Sequence, residues 1–147
     1  MNIPENDLLL QLREMHTKFG IVYNGEPRRL DYAEKAFRVA ALQEELNEYS
    51  EADGLVDQYD ALIDLIVFAV GSLERHGFPL QAGFDAVMKA NLAKQVGNNP
   101  QKADAGRAAY KGVDLVKPEG WLPPEDELTQ ILVNRMVAHL EPIHAEQ

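Results

Sequence analysis

Apolar positions recur at helical spacing through most of the chain, and polar, Gly- or Pro-containing stretches break the pattern into segments. Leu8, Leu9, Leu12 and Met15 share a stripe that predicts a first helix over Asp7–Lys18, with Gly20 placed as its stop. A polar loop from Asn24 to Arg29, with Gly25 and Pro27, leads to Asp31, an N-cap for a second helix running to about Ala52. Asp53-Gly54 closes it. A third helix is predicted over Leu55–His76, ended by Gly77 and Pro79. Pro79 opens a fourth, with Phe84, Val87, Met88 and Leu92 on one stripe and an end near Lys94 to Val96. From Gly97 to Pro124 the chain turns to Gly, Asn, Pro and Lys, which predicts a long loop, and Glu125–Leu140 gives a last amphipathic helix before a frayed acidic tail.

The expected fold class is therefore all-α, a bundle of four to five helices in one domain. Residues 1–96 form the helical core, 97–124 a loop or lid in the same domain, and 125–147 the C-terminal helix and tail. The centre of the third helix, Ala61 to Gly71, is apolar all the way round except for Asp64. A surface helix cannot be apolar on every side, so this one needs cover on all of them, which predicts a homodimer or homotetramer.

Composition narrows the function. With 24 acidic against 14 basic residues the formal net charge is -10, which repels a nucleic-acid backbone, and no Lys/Arg stripe interleaved with aromatics appears. Nucleic acid is therefore not an expected partner. Small phosphorylated ligands stay within reach through metal ions, which invert the local sign of an acidic pocket. No uncharged run is long enough for a membrane span, and the N-terminus lacks the basic-then-apolar pattern of a secretory signal. No membrane partner is expected. The absence of cysteine fits a reducing compartment, so a cytoplasmic location is expected.

The candidate chemistry lies in carboxylates. Glu44, Glu45 and Glu48 span an arc of roughly 100° on the second helix, and Asp57, Asp60 and Asp64 fall within about 60° on the third. The short Asp53-Gly54 connection makes the two helices antiparallel neighbours, so both acidic faces can meet in one cleft. A carboxylate in apolar surroundings costs several kcal/mol unless a cation or hydrogen bonds offset it, and Asp64 stands in such surroundings. Oxygen-only ligands favour a hard ion, Mg²⁺ or Mn²⁺, over zinc or copper.

These residues resemble the MazG-like superfamily of all-α nucleotide pyrophosphohydrolases, which includes dimeric dUTPases and phosphoribosyl-ATP pyrophosphohydrolase. Its signature is EExxE followed by ExxD on the next helix. Glu44-Glu45-Leu46-Asn47-Glu48 reproduces the first half. In the second half Asp64 takes the Asp position, but Ala61 stands three residues before it, with Asp60 one step earlier. Asn91-Leu92-Ala93-Lys94 resembles an N-x-x-K that contacts the nucleotide in several members.

The resemblance implies hydrolysis of a nucleoside triphosphate, ribo or deoxy, to the monophosphate and pyrophosphate, in nucleotide-pool housecleaning. It implies Mg²⁺ held by Glu45, Glu48, Asp64 and Asp60, water activation by Glu44, and substrate contacts from Asn91 and Lys94. Arg28, Arg29, Lys111 and Lys117 lie in loops able to close over phosphates. Two other classes compete. Ala61 favours a catalytically silent helical oligomer that acts as an interaction module. A di-iron bundle has only Glu141-Pro142-Ile143-His144 in its favour.

Overall fold

A computed structural model describes residues 7–97 and 114–140. The fold is all-α. Its helices are α1 (Asp7–Lys18), α2 (Tyr32–Glu51), α3 (Leu55–His76), α4 (Leu80–Leu92) and α5 (Glu125–Leu140). A two-stranded antiparallel ribbon, β1 (Gln95–Val96) with β2 (Leu115–Val116), is the only sheet among the described residues, with Gln95 opposite Val116 and Val96 opposite Leu115. Helix four thus ends earlier than its pattern suggests. Its apolar stripe runs out at Leu92, and Gln95 and Val96 pair with β2 instead of extending the helix. Residues 98–113 of the expected loop, with Lys111, and the 141–147 tail with the Glu141–His144 spacing lie outside the described residues.

The chain divides into two compact units, one holding the residues up to Leu80 and those from Leu132, the other Gln81–Ile131. In the first unit α2 and α3 form an antiparallel hairpin and α1 lies on α3. The hairpin is held locally at both ends. Asp31 accepts a 2.8 Å hydrogen bond from the Glu34 backbone N–H, satisfying one of the donors that a helix start leaves open. Between the helices the Gln58 side chain donates to the Ala52 carbonyl at 2.9 Å.

The same device stops α1 and α3. Gly20 and Gly77 both sit in the left-handed region, at φ 71° and 72°. After each, two backbone N–H groups fold back onto the last carbonyls of the helix: Gly20 to Thr17 and Ile21 to His16, Gly77 to Glu74 and Phe78 to Leu73. The surroundings differ. A Cβ on Gly20 meets nothing, whereas one on Gly77 stands 3.1 Å from the Gly25 carbonyl oxygen and 3.2 Å from that of Glu26.

That loop is tied to the end of α3. The Arg28 N–H donates to the His76 carbonyl, the Arg28 guanidinium donates to the Arg75 carbonyl at 3.1 Å and covers the Tyr23 ring, and His76 Nδ1 lies 2.8 Å from the Arg28 carbonyl oxygen. Arg75 in turn pairs with Glu34 of α2 and bonds to the Ile21 carbonyl oxygen.

The interior of this unit is partly polar. On α2 the buried stripe is Arg38, Ala41 and Glu45, and on α3 it is Ala61, Val70 and Gly71. His16 of α1 is 2% exposed, and a Cβ on Gly71 stands 3.2 Å from His16 Nε2 and 3.1 Å from Arg38 Nη1. Gly71 therefore lets three helices meet. Burial lowers the His16 pKa, and the Arg38 and Arg75 charges lower it further against the pull of Glu74.

The apolar centre of α3 is only partly covered within one chain. Ala61 and Val70 are buried, but Leu62, Ile63 and Ile66 are each more than two-fifths exposed.

Two outcomes follow from these contacts. Gly77→Ala lowers the free energy of unfolding by about 1–3 kcal/mol in urea titrations, and Gly20→Ala by less, because both strain φ but only Gly77 also crowds a carbonyl pair. A histidine with a lowered folded pKa stabilises above its unfolded value of about 6.5, and that contribution is lost as pH falls. Between about pH 7.5 and 5.5 the wild type thus loses more stability than His16→Gln; equal losses contradict the buried neutral imidazole.

Candidate active site

Glu45 is the centre of the acidic cluster. It faces inward because it lies seven residues, or about two helical turns, beyond Arg38 on the same stripe of α2. The residue is 9% exposed, and its Oε2 has no hydrogen-bond partner among the described residues. Burial raises its pKa above the usual carboxylate range, and the negative charges of Glu48, Asp64 and Glu44 raise it further. Both faces predicted to meet therefore do act on one carboxyl group: Glu44, Glu45 and Glu48 from α2, Asp64 from α3.

The remaining candidates stand apart from this group. Asp57 and Asp60 are exposed, and neither is among the charges acting on Glu45. Ala61 is the most completely covered of the buried apolar residues, at 1% exposure, so a methyl group sits in the core where the family pattern carries a second carboxylate. Asn91 and Lys94 belong to the second unit, where the Lys94 ammonium donates to Asn91 Oδ1 at 2.8 Å at the end of α4. Arg28 serves the loop on α3, and Lys117 lies over the Trp121 ring.

As placed, no three acidic or imidazole side chains among the described residues stand close enough to grip one ion. Glu44 and Glu48 are exposed on α2. The donor chemistry still fits a hard divalent ion: carboxylates alone, on two facing helices, with one buried oxygen lacking a partner.

Sequence reasoning missed two buried polar residues. Arg38 is 8% exposed with its Nε unpartnered, and it meets His16 across Gly71. Arg38 falls on the same stripe as Glu45 at spacings of three and four, which was the available signal. His16 had none, since its burial depends on where α1 docks.

The sequence profile of the phosphoribosyl-ATP pyrophosphohydrolase family matches residues 12–91, more than half of the chain. The chain therefore belongs to the phosphoribosyl-ATP pyrophosphohydrolase family, within the MazG-like all-α pyrophosphohydrolases. Membership makes it a pyrophosphohydrolase acting on nucleotide-like substrates. Among curated proteins no sequence matches. No helix among the described residues is long and apolar enough to cross a membrane.

Removing the buried charge tests the cluster directly. A carboxyl group with a raised folded pKa contributes stability only while protonated, and loses it as pH rises through that folded value. At neutral pH without metal, Glu45→Gln therefore raises the melting temperature. Added Mg²⁺ raises that of the wild type and not of the variant; equal Mg²⁺ responses in the two remove Glu45 from any cation site.

Proposed function

We propose that the protein hydrolyses nucleoside triphosphates, ribo or deoxy, to the monophosphate and pyrophosphate, in a Mg²⁺-dependent reaction that serves nucleotide-pool housecleaning. The observation that carries this reading is the buried, unpartnered oxygen of Glu45 under the charges of Glu48, Asp64 and Glu44. Such an arrangement is unfavourable until a cation joins it.

Glu45, Glu48 and Asp64 hold Mg²⁺, with Mn²⁺ as a substitute, and Asp60 lies one turn from Asp64 as a further ligand in place of the missing carboxylate at Ala61. Bound there, the ion supplies charge neutralisation for the phosphate oxygens and for the leaving pyrophosphate. Glu44 needs no place in the ligand set. Exposed beside Glu45, it orients or deprotonates the attacking water. Asn91 and Lys94 contact the nucleotide. Phosphoribosyl-ATP, the compound in the family's name, belongs among the substrates to be tried.

The half-exposed Leu62, Ile63 and Ile66 support assembly with a second copy. Ile63 and Ile66 also line an apolar groove of about 510 Å³ with Leu8, Leu12 and Met15 of α1. Water on such a surface is unfavourable by about 25 cal/mol for each Å² of apolar area.

A second reading, a catalytically silent oligomer, is favoured by Ala61 alone. The two separate in one assay. With Mg²⁺ and a panel of NTPs, dNTPs and phosphoribosyl-ATP, pyrophosphate is released from at least one compound. Glu48→Gln and Asp64→Asn each lower that turnover by roughly 100-fold or more, with helix content by circular dichroism unchanged. Absence of turnover with every compound leaves the silent oligomer, and full activity in both variants discards the proposed site.

A further inference from the structure

We infer that the junction of α1, α2 and α3 holds a small monovalent anion of the halide class, met by the Arg38 guanidinium and the His16 imidazole over the bare Cα of Gly71. Arg38 lies two helical turns from Glu45 on α2, and the site is independent of the proposed hydrolysis.

The balance of charge leads to it. Three guanidinium groups and two carboxylates gather at this end of the first unit: Arg13 on α1, Glu34 and Arg38 on α2, Glu74 and Arg75 on α3. Arg13 pairs with Glu74 at 2.8 Å. Glu34 gives one oxygen to Arg75 Nε and the other to Arg75 Nη2, and it acts on Arg38 only through its charge. Arg38 is the cation left over. It is 8% exposed, its buried Nε is unpartnered, and its side chain has neither a hydrogen bond nor an ion pair among the described residues. The Phe37 ring, 5.7 Å from the Arg38 Cζ, adds a weak cation–π contact and no counter-charge. A guanidinium keeps its proton inside a protein, so burial cannot discharge it. A neutral acceptor would satisfy its N–H groups and still leave the charge uncompensated, which is the costly part of burying an ion.

The geometry supplies a second donor. His16 is 2% exposed and its ring has no hydrogen bond among the described residues. Arg38 Nη1 and His16 Nε2 stand 3.1 and 3.2 Å from the point where a Gly71 Cβ would lie, so the two groups converge where the backbone carries no side chain. A neutral imidazole donates from one nitrogen, and an acceptor at the junction selects the Nε2–H. With both donors buried, the junction suits a monatomic anion and not a phosphate ester or an organic acid. Bound there, the anion joins α1 to α2 across Gly71 of α3.

The full-length protein is melted in metal-free buffer at constant ionic strength while sodium chloride replaces sodium gluconate, whose anion is too large for the junction. The melting temperature of the wild type rises saturably with chloride, and bromide does the same. Arg38→Met weakens the apparent chloride affinity about tenfold or more, and His16→Phe, which removes one donor of two, about two- to fivefold. Glu48→Gln, which stops the proposed hydrolysis, keeps the wild-type response, so the two readings fail separately. In wild-type crystals soaked in sodium bromide, anomalous density lies within hydrogen-bond range of Arg38 and His16, and this decides the matter even where Arg38→Met does not fold. The inference is overturned if chloride shifts the wild-type melting temperature no more than gluconate does, if a folded Arg38→Met responds like the wild type, or if bromide is found only away from the junction.

Discussion

Burial of the Glu45 carboxyl group is the constraint around which the acidic cluster of this protein is arranged. The α2–α3 hairpin fixes it: the two helices are joined through only Ala52 to Gly54, so they lie antiparallel, and the inward stripe of α2 carries Glu45 up to the α3 face that bears Asp64. Two more carboxylates on α2, Glu44 and Glu48, add their charge to the same point. The result is a local excess of negative charge around one buried carboxyl group. Hydrophobic burial elsewhere in the hairpin must outweigh this repulsion in the absence of a cation.

The other end of the same seam has the opposite sign. Two turns before Glu45 on α2, Arg38 is buried beside His16 and Gly71, with Arg75 and Glu34 paired nearby. Glu34 reaches Arg75 across the hairpin and its charge also acts on Arg38, so one carboxylate serves two guanidinium groups. The missing side chain of Gly71 is what lets Arg38 and His16 approach each other. Among the described residues the one buried guanidinium, that of Arg38, thus lies two helical turns from the buried carboxyl group of Glu45 on the same helix.

The second unit solves a different problem with short-range means. Its helix α4 has an alanine face, too small to fill the space against the following segment, and a turn built on Gly120 hangs Trp121 there instead. The indole N–H finds the Ala90 carbonyl, so the ring is oriented as well as packed.

Helix limits were written into the local sequence. Asp31, Gly20, Gly77 and the apolar periodicity mark where α1, α2, α3 and α5 begin or end, because capping and left-handed glycine are satisfied by atoms within a few residues. The carboxylate clusters were legible for the same reason: spacing on a helix decides which side chains share a face. What the amino acids in order could not decide were matters of partner choice across the fold. The pairing of Gln95–Val96 with Leu115–Val116 cut α4 short, the docking of α1 buried His16, and the rotation of α3 directed Ala61 inward and left Asp60 exposed, while Asp64 came within electrostatic reach of Glu45. Each depends on which surface another element presents from far along the chain, a quantity that only the assembled tertiary structure sets.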